Sequence, residues 1–233
     1  MQIEISRIRG ALLALAVLGV VTVPAVKAAE VPAFPGAAER LAEAIRFETI
    51  SWGEEGRLDR ESFLAFHTFL ERSFPRVHAS LHREIVNEFS LLYTWAGTDT
   101  SREPILLTDH FDVVPVAEDT LDEWEHAPFA GAIADGFVWG RGAMDDKSGA
   151  MALLEAAEDL LAQGFAPQRT IYLAIGHDEE LGGVEGAGAT AALLRERGVR
   201  FEITLDEGGA AVSGALPGVE SPLALIGIAE KGY

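Results

Sequence analysis

The fold class is decided by the segment Ile171-Tyr172-Leu173-Ala174-Ile175-Gly176-His177-Asp178-Glu179-Glu180, in which an apolar run leads directly into an acidic cluster. Short apolar runs are typical of buried strands in α/β proteins, and the carboxyl ends of such strands are where these sheets bind ligands. Three more clusters follow the same pattern: His110-Phe111-Asp112 after residues 105–107, Asp145-Asp146 after a glycine-rich turn, and Asp206-Glu207 after residues 201–205. Carboxylates and a histidine at one sheet edge repel one another unless a cation lies among them. The pattern therefore predicts a hydrolytic metal site.

Strand-like and helix-like segments alternate outward from this segment. Apolar spacing predicts helices over 37–49, from an N-cap at Asp59 to a stop at Pro75, from Ser148 to Gly164, and over 186–197. Strands are predicted within 85–95 and at 104–108, 137–139, 169–175, 201–205 and 223–229, with a mostly irregular stretch at 116–136. Strand, helix and strand in alternation imply crossover connections. We therefore expect an α/β fold with a mostly parallel sheet covered by helices on both faces.

Composition restricts the classes of function. The 233 residues suffice for one large domain or one and a half smaller ones, and the 48% hydrophobic and 24% charged content is typical of globular proteins. A formal net charge of −19 argues against a nucleic-acid partner, because a phosphate backbone needs a basic face. The chain has no cysteine, so any zinc site must use histidine and carboxylate ligands.

The first residues have the pattern of a targeting segment. Arg7 and Arg9 precede an apolar run at 11–23, and Val26-Lys27-Ala28 offers a small-residue cleavage site. We expect residues 1–28 to be a signal peptide and the protein to be exported, to the periplasm or the medium. The alternative is an uncleaved membrane anchor, although the apolar run is shorter than the ~20 residues that a spanning helix needs.

Two of the clusters suggest metal ligands with a supporting carboxylate. The His110 imidazole would bind a cation through one ring nitrogen, while Asp112 orients the ring through the other. The alternative for this pair is a purely structural role in a loop. Asp145, in the glycine-rich turn, would bridge two cations. The alternative for Asp145 and Asp146 is ordinary acidity at a helix N-terminus, which the helix dipole stabilises.

The other two clusters supply further carboxylates. Of Glu179 and Glu180, one would bind the metal and the other would act as general base, since neighbouring side chains on irregular backbone point in different directions. An acidic surface turn is the alternative. Asp206 would supply another oxygen ligand, whereas Glu207 is expected to be solvated or to lie behind the ligands.

Taken in order, the four clusters resemble the dizinc family of carboxypeptidase S, aminoacylase and glutamate carboxypeptidase. The stretches that carry the resemblance are Leu-Leu-Thr-Asp-His110-Phe-Asp112, Trp-Gly-Arg-Gly-Ala-Met-Asp145-Asp146-Lys147, Gly-His-Asp-Glu179-Glu180-Leu-Gly-Gly and Leu-Asp206-Glu-Gly-Gly. The chain looks most similar to the branch of carboxypeptidase S and the secreted N-acyl-amino-acid hydrolases. This resemblance implies a three-layer αβα catalytic domain.

The resemblance also assigns roles to these residues. His110, Asp145 and Asp206 would hold one zinc ion, and Asp145 would bridge to a second zinc that also binds Glu180. Glu179 would be the general base, and Asp112 would orient His110. The family pattern further implies a cis peptide bond between Asp145 and Asp146. Asp109 and Ser148 depart from the family, which usually has a small residue and a glycine there.

The resemblance implies zinc-dependent hydrolysis of an amide bond, of the carboxypeptidase or N-acyl-amino-acid hydrolase type. Two zinc ions are expected, with cobalt or manganese as alternatives, and the substrate would be a small peptide or an N-acyl amino acid. Residues 29–233 would form the N-terminal portion of the catalytic domain. The family's lid or dimerisation domain and its last zinc-binding histidine would be absent, so we expect impaired activity and leave the oligomeric state open.

Other functions are compatible with the same residues. One is a catalytically silent module that binds metal or substrate, and another is a metal hydrolase that acts on a phosphoester. We expect neither a nucleic-acid partner nor a stable membrane partner.

Overall fold

The computed structural model describes residues 34–53, 57–208, 210–214, 217–219 and 221–225. The chain divides into two units, Met1–Ala33 and Phe34–Tyr233, and the description below concerns the second. The predicted signal peptide and the end of the predicted strand at 223–229 lie outside the described residues. No helix in the described ranges has the length and apolar character needed to cross a membrane.

Five α-helices are present in the described ranges: α1 (Ala37–Ile45), α2 (Arg60–Ser73), α3 (Pro75–Ser80), α4 (Lys147–Ala162) and α5 (Ala189–Glu196). Asp59 is the N-cap of α2, as predicted, because its carboxylate accepts hydrogen bonds from the backbone N–H groups of Glu61 and Ser62. Helix α3 was not predicted. Pro75 was interpreted as a stop signal, but its fixed φ also suits the first turn of a new helix.

Nine strands are described: β1 (His82–Val86), β2 (Ser90–Trp95), β3 (Ile105–His110), β4 (Ala132–Ala134), β5 (Phe137–Trp139), β6 (Ile171–Gly176), β7 (Ile203–Leu205), β8 (Ala210–Val212) and β9 (Leu223–Leu225). The central sheet has the order β1-β2-β6-β3-β7. Strand β2 runs antiparallel to both of its neighbours, whereas β3 is parallel to β6 and to β7. Four of the five strands in the central sheet therefore run in the same direction, which confirms the prediction of a mostly parallel sheet.

Helices cover both faces of this sheet. Alternate residues of a strand point to opposite faces, so Leu91 and Tyr93 of β2 join the larger core while Leu92 joins the smaller one. The larger core contains the phenylalanines of α2 and the apolar face of α4, and the smaller core contains Leu194 of α5. The two cores are the interior of a layered α/β fold.

The register of the sheet brings the predicted clusters to one edge. In the parallel pairing of β3 with β6, His110 lies opposite Gly176, so residues 110–112 and 177–180 leave the sheet at the same level. The third parallel strand, β7, ends at Leu205, opposite Leu107. The residues that follow β7 therefore emerge beside His110, and the turn before α4 completes the group.

Candidate metal centre

His110 is the centre of the site. It is the last residue of β3, and its side chain is buried. Its Nδ1 lies 3.1 Å from the carbonyl oxygen of Asp112 and 3.3 Å from Oδ1 of the same residue. Because both of these neighbours are acceptors, Nδ1 carries the ring proton and donates it. Nε2 faces the carboxylates of the site, and once it has lost its own proton it can bind a metal.

Three carboxylates face Nε2 of His110. The nearest oxygens are Oδ1 of Asp145 at 3.2 Å, Oε1 of Glu207 at 3.4 Å and Oε2 of Glu179 at 3.9 Å. The Asp145 side chain is largely exposed and that of Glu179 is half exposed, whereas Glu207 is mostly covered. Donor atoms of His110, Asp145 and Glu207 all lie within 4.8 Å of one another, a spacing suited to one cation.

The glycine-rich turn aims Asp145 at His110. The peptide bond between Asp145 and Asp146 is cis, as predicted. Asp146 has a different role, since its Oδ1 accepts the backbone N–H of Gly149 at 2.7 Å and so caps α4. Ser148, one of the two departures from the family pattern, adds its hydroxyl to the same oxygen. One aspartate thus faces the site while its neighbour begins the helix.

Glu179 and Glu180 lie in a 3₁₀ turn after β6 that the Asp112 carboxylate fixes in place. The backbone N–H of Glu179 donates to Asp112 Oδ1 at 3.1 Å, and that of Glu180 donates to Oδ2 at 3.2 Å. Glu180 turns away from Nε2, and its Oε1 accepts the backbone N–H of Val114 at 3.3 Å. The two side chains therefore point in different directions, which is what a division into base and ligand requires.

The structure brings Glu207, and not Asp206, to His110. Asp206 is exposed, and its Oδ1 accepts the backbone N–H of Glu207 at 3.0 Å. Both residues follow β7, and it is the Glu207 carboxylate that lies 3.4 Å from His110 Nε2. From the sequence, Glu207 was expected to be solvated or to lie behind the ligands, and its placement differs from that expectation. Asp206 as a zinc ligand stays a prediction.

The electrostatics of the site favour a bound cation. Burial alone lowers the pKa of His110, but the hydrogen bond to Asp112 and the charges of Asp112, Glu207 and Glu179 raise it to about 10. Burial raises the pKa of Glu207 to about 7, and Asp146 adds to this rise. Burial, followed by the charge of Asp145, also raises the pKa of Glu180. A cation would offset the negative charge of these clustered carboxylates. The donor set fits zinc, which takes histidine and carboxylate ligands.

Asp109, the other departure from the family pattern, lies directly before His110 in β3. It is buried, and its Oδ1 accepts the backbone N–H of His110 at 2.7 Å. Burial, together with the charge of Asp146, raises its pKa to about 7. Asp109 therefore supports the end of β3 without entering the donor set.

A cavity of about 630 Å³ opens beside the site. Asp109, His110, Glu179 and Glu207 border it, and its other walls include apolar residues of the sheet and of α5. Glu179 and Glu207 are therefore reachable from an open space, and Asp206 also borders it.

Sequence reasoning missed three buried residues around the site. Thr49 was assigned to the end of the predicted helix at 37–49, and Ser51 lies beyond it. Both follow α1 in an irregular segment, and no motif marks either one. Lys147 stands in the quoted glycine-rich stretch but received no role. Its buried ammonium group donates to the carbonyl oxygens of Ala44, at 3.0 Å, and Phe47, at 2.5 Å. Its place directly after two aspartates was the signal that could have marked it.

Comparison with known proteins identifies the pattern. A model described as peptidase family M20/M25/M40 matches residues 106–220. "Probable carboxypeptidase S-like 2" of Dictyostelium discoideum is 50% identical over 199 residues, which are 84% of this chain and 38% of that protein. "N-fatty-acyl-amino acid synthase/hydrolase PM20D1" of Mus musculus is 40% identical over 196 residues, 83% of this chain and 38% of that protein. The chain thus spans about two fifths of the length of these relatives.

Solved structures share the fold. An M20 family metallo-carboxypeptidase, Sso-CP2 from Sulfolobus solfataricus, matches with a TM-score of 0.59 at 22% identity, over 76% of this chain and 38% of that one. Human carnosine dipeptidase 1 matches with a TM-score of 0.60 at 19% identity, over 77% of this chain and 40% of that one. At these sequence identities, both matches show only that the α/β fold is shared.

Proposed function

Because the chain belongs to peptidase family M20/M25/M40, we propose that it supplies the general base and most metal ligands of a zinc-dependent amidohydrolase. The bond cleaved is a peptide bond or the amide of an N-acyl amino acid. The observation that carries this proposal is the convergence of His110 Nε2, Asp145 and Glu207, with Glu179 beside them.

The zinc ligands follow from the donor atoms that meet at this point. His110 and Asp145 would hold the first ion with an acid from the segment after β7, and the distances favour Glu207 over Asp206. Asp145 and Glu180 would hold a second ion, in keeping with the effect of the Asp145 charge on the pKa of Glu180. Zinc bound there would supply positive charge against the developing oxyanion. Cobalt or manganese could occupy the same oxygen and nitrogen donors.

The residues of the chain then have distinct roles in hydrolysis. Asp112 keeps the proton on Nδ1 of His110, so that Nε2 stays free for the metal. Glu179, half exposed and reachable from the cavity, accepts the proton of the attacking water and returns it to the leaving amine. The same carboxylate thus serves as base and then as acid.

The relatives of this chain indicate its class of substrate. One relative is named as a carboxypeptidase S-like protein and another as an N-fatty-acyl-amino acid synthase/hydrolase. A small peptide or an N-acyl amino acid is therefore the proposed substrate. Export from the cytoplasm, directed by residues 1–28, remains part of the proposal because of the basic start and apolar run of that segment.

The test of the proposal is a hydrolysis assay with zinc, on a dipeptide and an N-acyl amino acid. We expect Glu179→Gln to lower kcat by ~10²- to 10⁴-fold, the usual contribution of a general base. Zinc affinity, measured by calorimetry, should change less than about twofold, because Glu179 is the most distant of the three carboxylates from Nε2. Wild-type turnover that Glu179→Gln leaves intact would contradict the proposal.

A second candidate is a metal-binding module without catalysis. The closely spaced donor group of the described residues has one histidine, whereas catalytic zinc sites usually take more nitrogen ligands. Tight zinc binding by the chain, with no hydrolysis of either substrate, would favour this module.

A further inference from the structure

We propose that Ser51 is a positioning residue of the metal centre, which acts by fixing the carboxylate of Asp112. This inference rests on the proposed function, because it concerns the same zinc site. Ser51 lies outside every sequence cluster described above, and its side chain is 2% exposed.

The backbone places Ser51 beside the loop that follows His110. The segment 49–51 runs parallel to residues 111–113, and Ile50 forms a bridge with Val113. The backbone N–H of Ser51 donates to the Val113 carbonyl oxygen at 3.0 Å, and the Val113 N–H donates to the Thr49 carbonyl oxygen at 3.0 Å. The Thr49 hydroxyl adds a bond to the Phe111 carbonyl oxygen at 2.7 Å. This ladder fixes the position from which the Ser51 hydroxyl acts.

The Ser51 hydroxyl donates to the Asp112 carboxylate. Its Oγ lies 2.6 Å from Asp112 Oδ2 and 3.3 Å from the carbonyl oxygen of His177. A hydroxyl has one proton to donate, and the shorter distance assigns that proton to Asp112.

The Asp112 carboxylate in turn holds two parts of the site together. It is fully buried, with Oδ1 bonded to the backbone N–H of Glu179 and facing Nδ1 of His110. Oδ2 receives the backbone N–H of Glu180 and the hydroxyl of Ser51. A rotation of this carboxylate would therefore move the proposed base and the histidine ligand at once. Among the described residues, Ser51 is the side-chain hydroxyl that opposes this rotation.

Loss of the Ser51 hydroxyl leaves a buried carboxylate oxygen with one donor fewer. A buried acceptor that loses a partner is unfavourable, and the carboxylate will turn to regain donors. Changes to groups that orient a metal-binding histidine typically weaken metal binding by ~10- to 100-fold. Ser51 is bonded to Asp112 and not to the histidine itself. We therefore expect zinc binding to weaken by an amount near the lower end of that range.

The chain offers a matched control in Ser90. Its side chain is 1% exposed and its hydroxyl lies 2.6 Å from Nδ1 of His177, so its burial and bond length match those of Ser51. Ser90 is not bonded to Asp112. Ser90→Ala therefore removes a comparable buried hydroxyl without removing a bond to Asp112 or to His110.

The experiment measures zinc affinity by calorimetry and the visible spectrum of the cobalt-substituted protein, on the full chain. Ser51→Ala should weaken zinc binding ~10-fold and alter the cobalt bands, while Ser90→Ala keeps zinc affinity within about twofold and keeps the wild-type spectrum. Ser51→Thr, which retains the hydroxyl, should bind zinc like the wild type. Thermal unfolding without metal verifies that each variant folds.

The outcomes separate the two proposals. A wild-type chain that binds no zinc overturns the proposed function, and this inference with it. Wild-type binding that Ser51→Ala leaves unchanged overturns the inference alone. A loss of equal size in Ser90→Ala or in Ser51→Thr also overturns it, because the effect would then come from packing.

Discussion

At the scale of single residues, the Asp112 carboxylate organises the site. It faces the His110 ring on one side and accepts the amides of Glu179 and Glu180 on the other. The sequence predicted the first role, because an aspartate two residues after a strand-end histidine is within reach of its ring. It could not predict the second role, which depends on how the turn after β6 meets the loop after β3.

The acid that follows β7 was also beyond sequence reasoning. Asp206 and Glu207 are adjacent, and which of them faces His110 depends on the direction of the backbone after a three-residue strand. The structure turns Glu207 inward, with Oε1 at 3.4 Å from His110 Nε2.

Exchange of each acid for its amide distinguishes the two assignments. We expect Glu207→Gln to weaken zinc binding by ~10-fold or more, because it removes the carboxylate nearest to Nε2 after Asp145. Asp206→Asn should weaken zinc binding by less than about threefold. Calorimetric titration with zinc measures both, and a larger loss in Asp206→Asn would restore the assignment made from the sequence.

At the scale of elements, α2 shows which helix boundaries can be predicted from local sequence signals. The N-cap at Asp59 and the apolar spacing predicted where this helix begins, and the structure agrees. The short α3 was missed because a proline ends one helix and begins another equally well. The predicted helix at 37–49 ends at Ile45, where segment 46–51 turns to run beside the loop after β3.

Helix α2 also gives a prediction about pH. His67 is buried in it, with Nε2 donating to the Phe89 carbonyl oxygen at 2.7 Å, and burial lowers its pKa below the usual 6.5. Since the unfolded chain then binds the proton more readily, the free energy of unfolding is fully retained above pH 6.5 and falls as the pH drops toward the folded-state pKa.

His67→Gln, whose amide can keep the bond to Phe89, should reduce this acid-side loss. Urea unfolding at a series of pH values measures it. His82→Gln, which removes an exposed histidine, serves as the control. Identical pH dependence in wild type and His67→Gln would show that His67 does not contribute.

The turn before α4 gives a second prediction. Gly142 has φ +84°, and an added Cβ would lie 2.7 Å from Cγ1 of Val113. Gly136 has φ +83° with nothing within 4 Å, so it shares the backbone conformation without the contact. Gly136→Ala should lower the free energy of unfolding by ~1 kcal/mol. Gly142→Ala should lower it by a further ~1–3 kcal/mol through overpacking, as measured by urea unfolding. Equal losses in the two variants would contradict the close contact at Gly142.

At the scale of the whole molecule, the topology of the sheet explains why the site could be predicted from the sequence. Strands β6, β3 and β7 are adjacent and parallel, so the clusters that follow them meet at one edge. The alternation of elements was enough to predict this arrangement. The reversed direction of β2, the second strand from one edge of the sheet, could not be predicted, because it depends on strand order rather than on any local pattern.

The central claim is that the carboxyl edge of this sheet binds zinc through His110. The direct measurement is a calorimetric zinc titration of the full chain, of His110→Ala and of His82→Ala, which removes an exposed histidine outside the site. We expect the wild type and His82→Ala to bind zinc with equal affinity. His110→Ala should bind zinc more than ~100-fold more weakly. This loss exceeds the usual effect of changing a group that only orients a metal ligand. Equal zinc affinity in wild type and His110→Ala would contradict the claim.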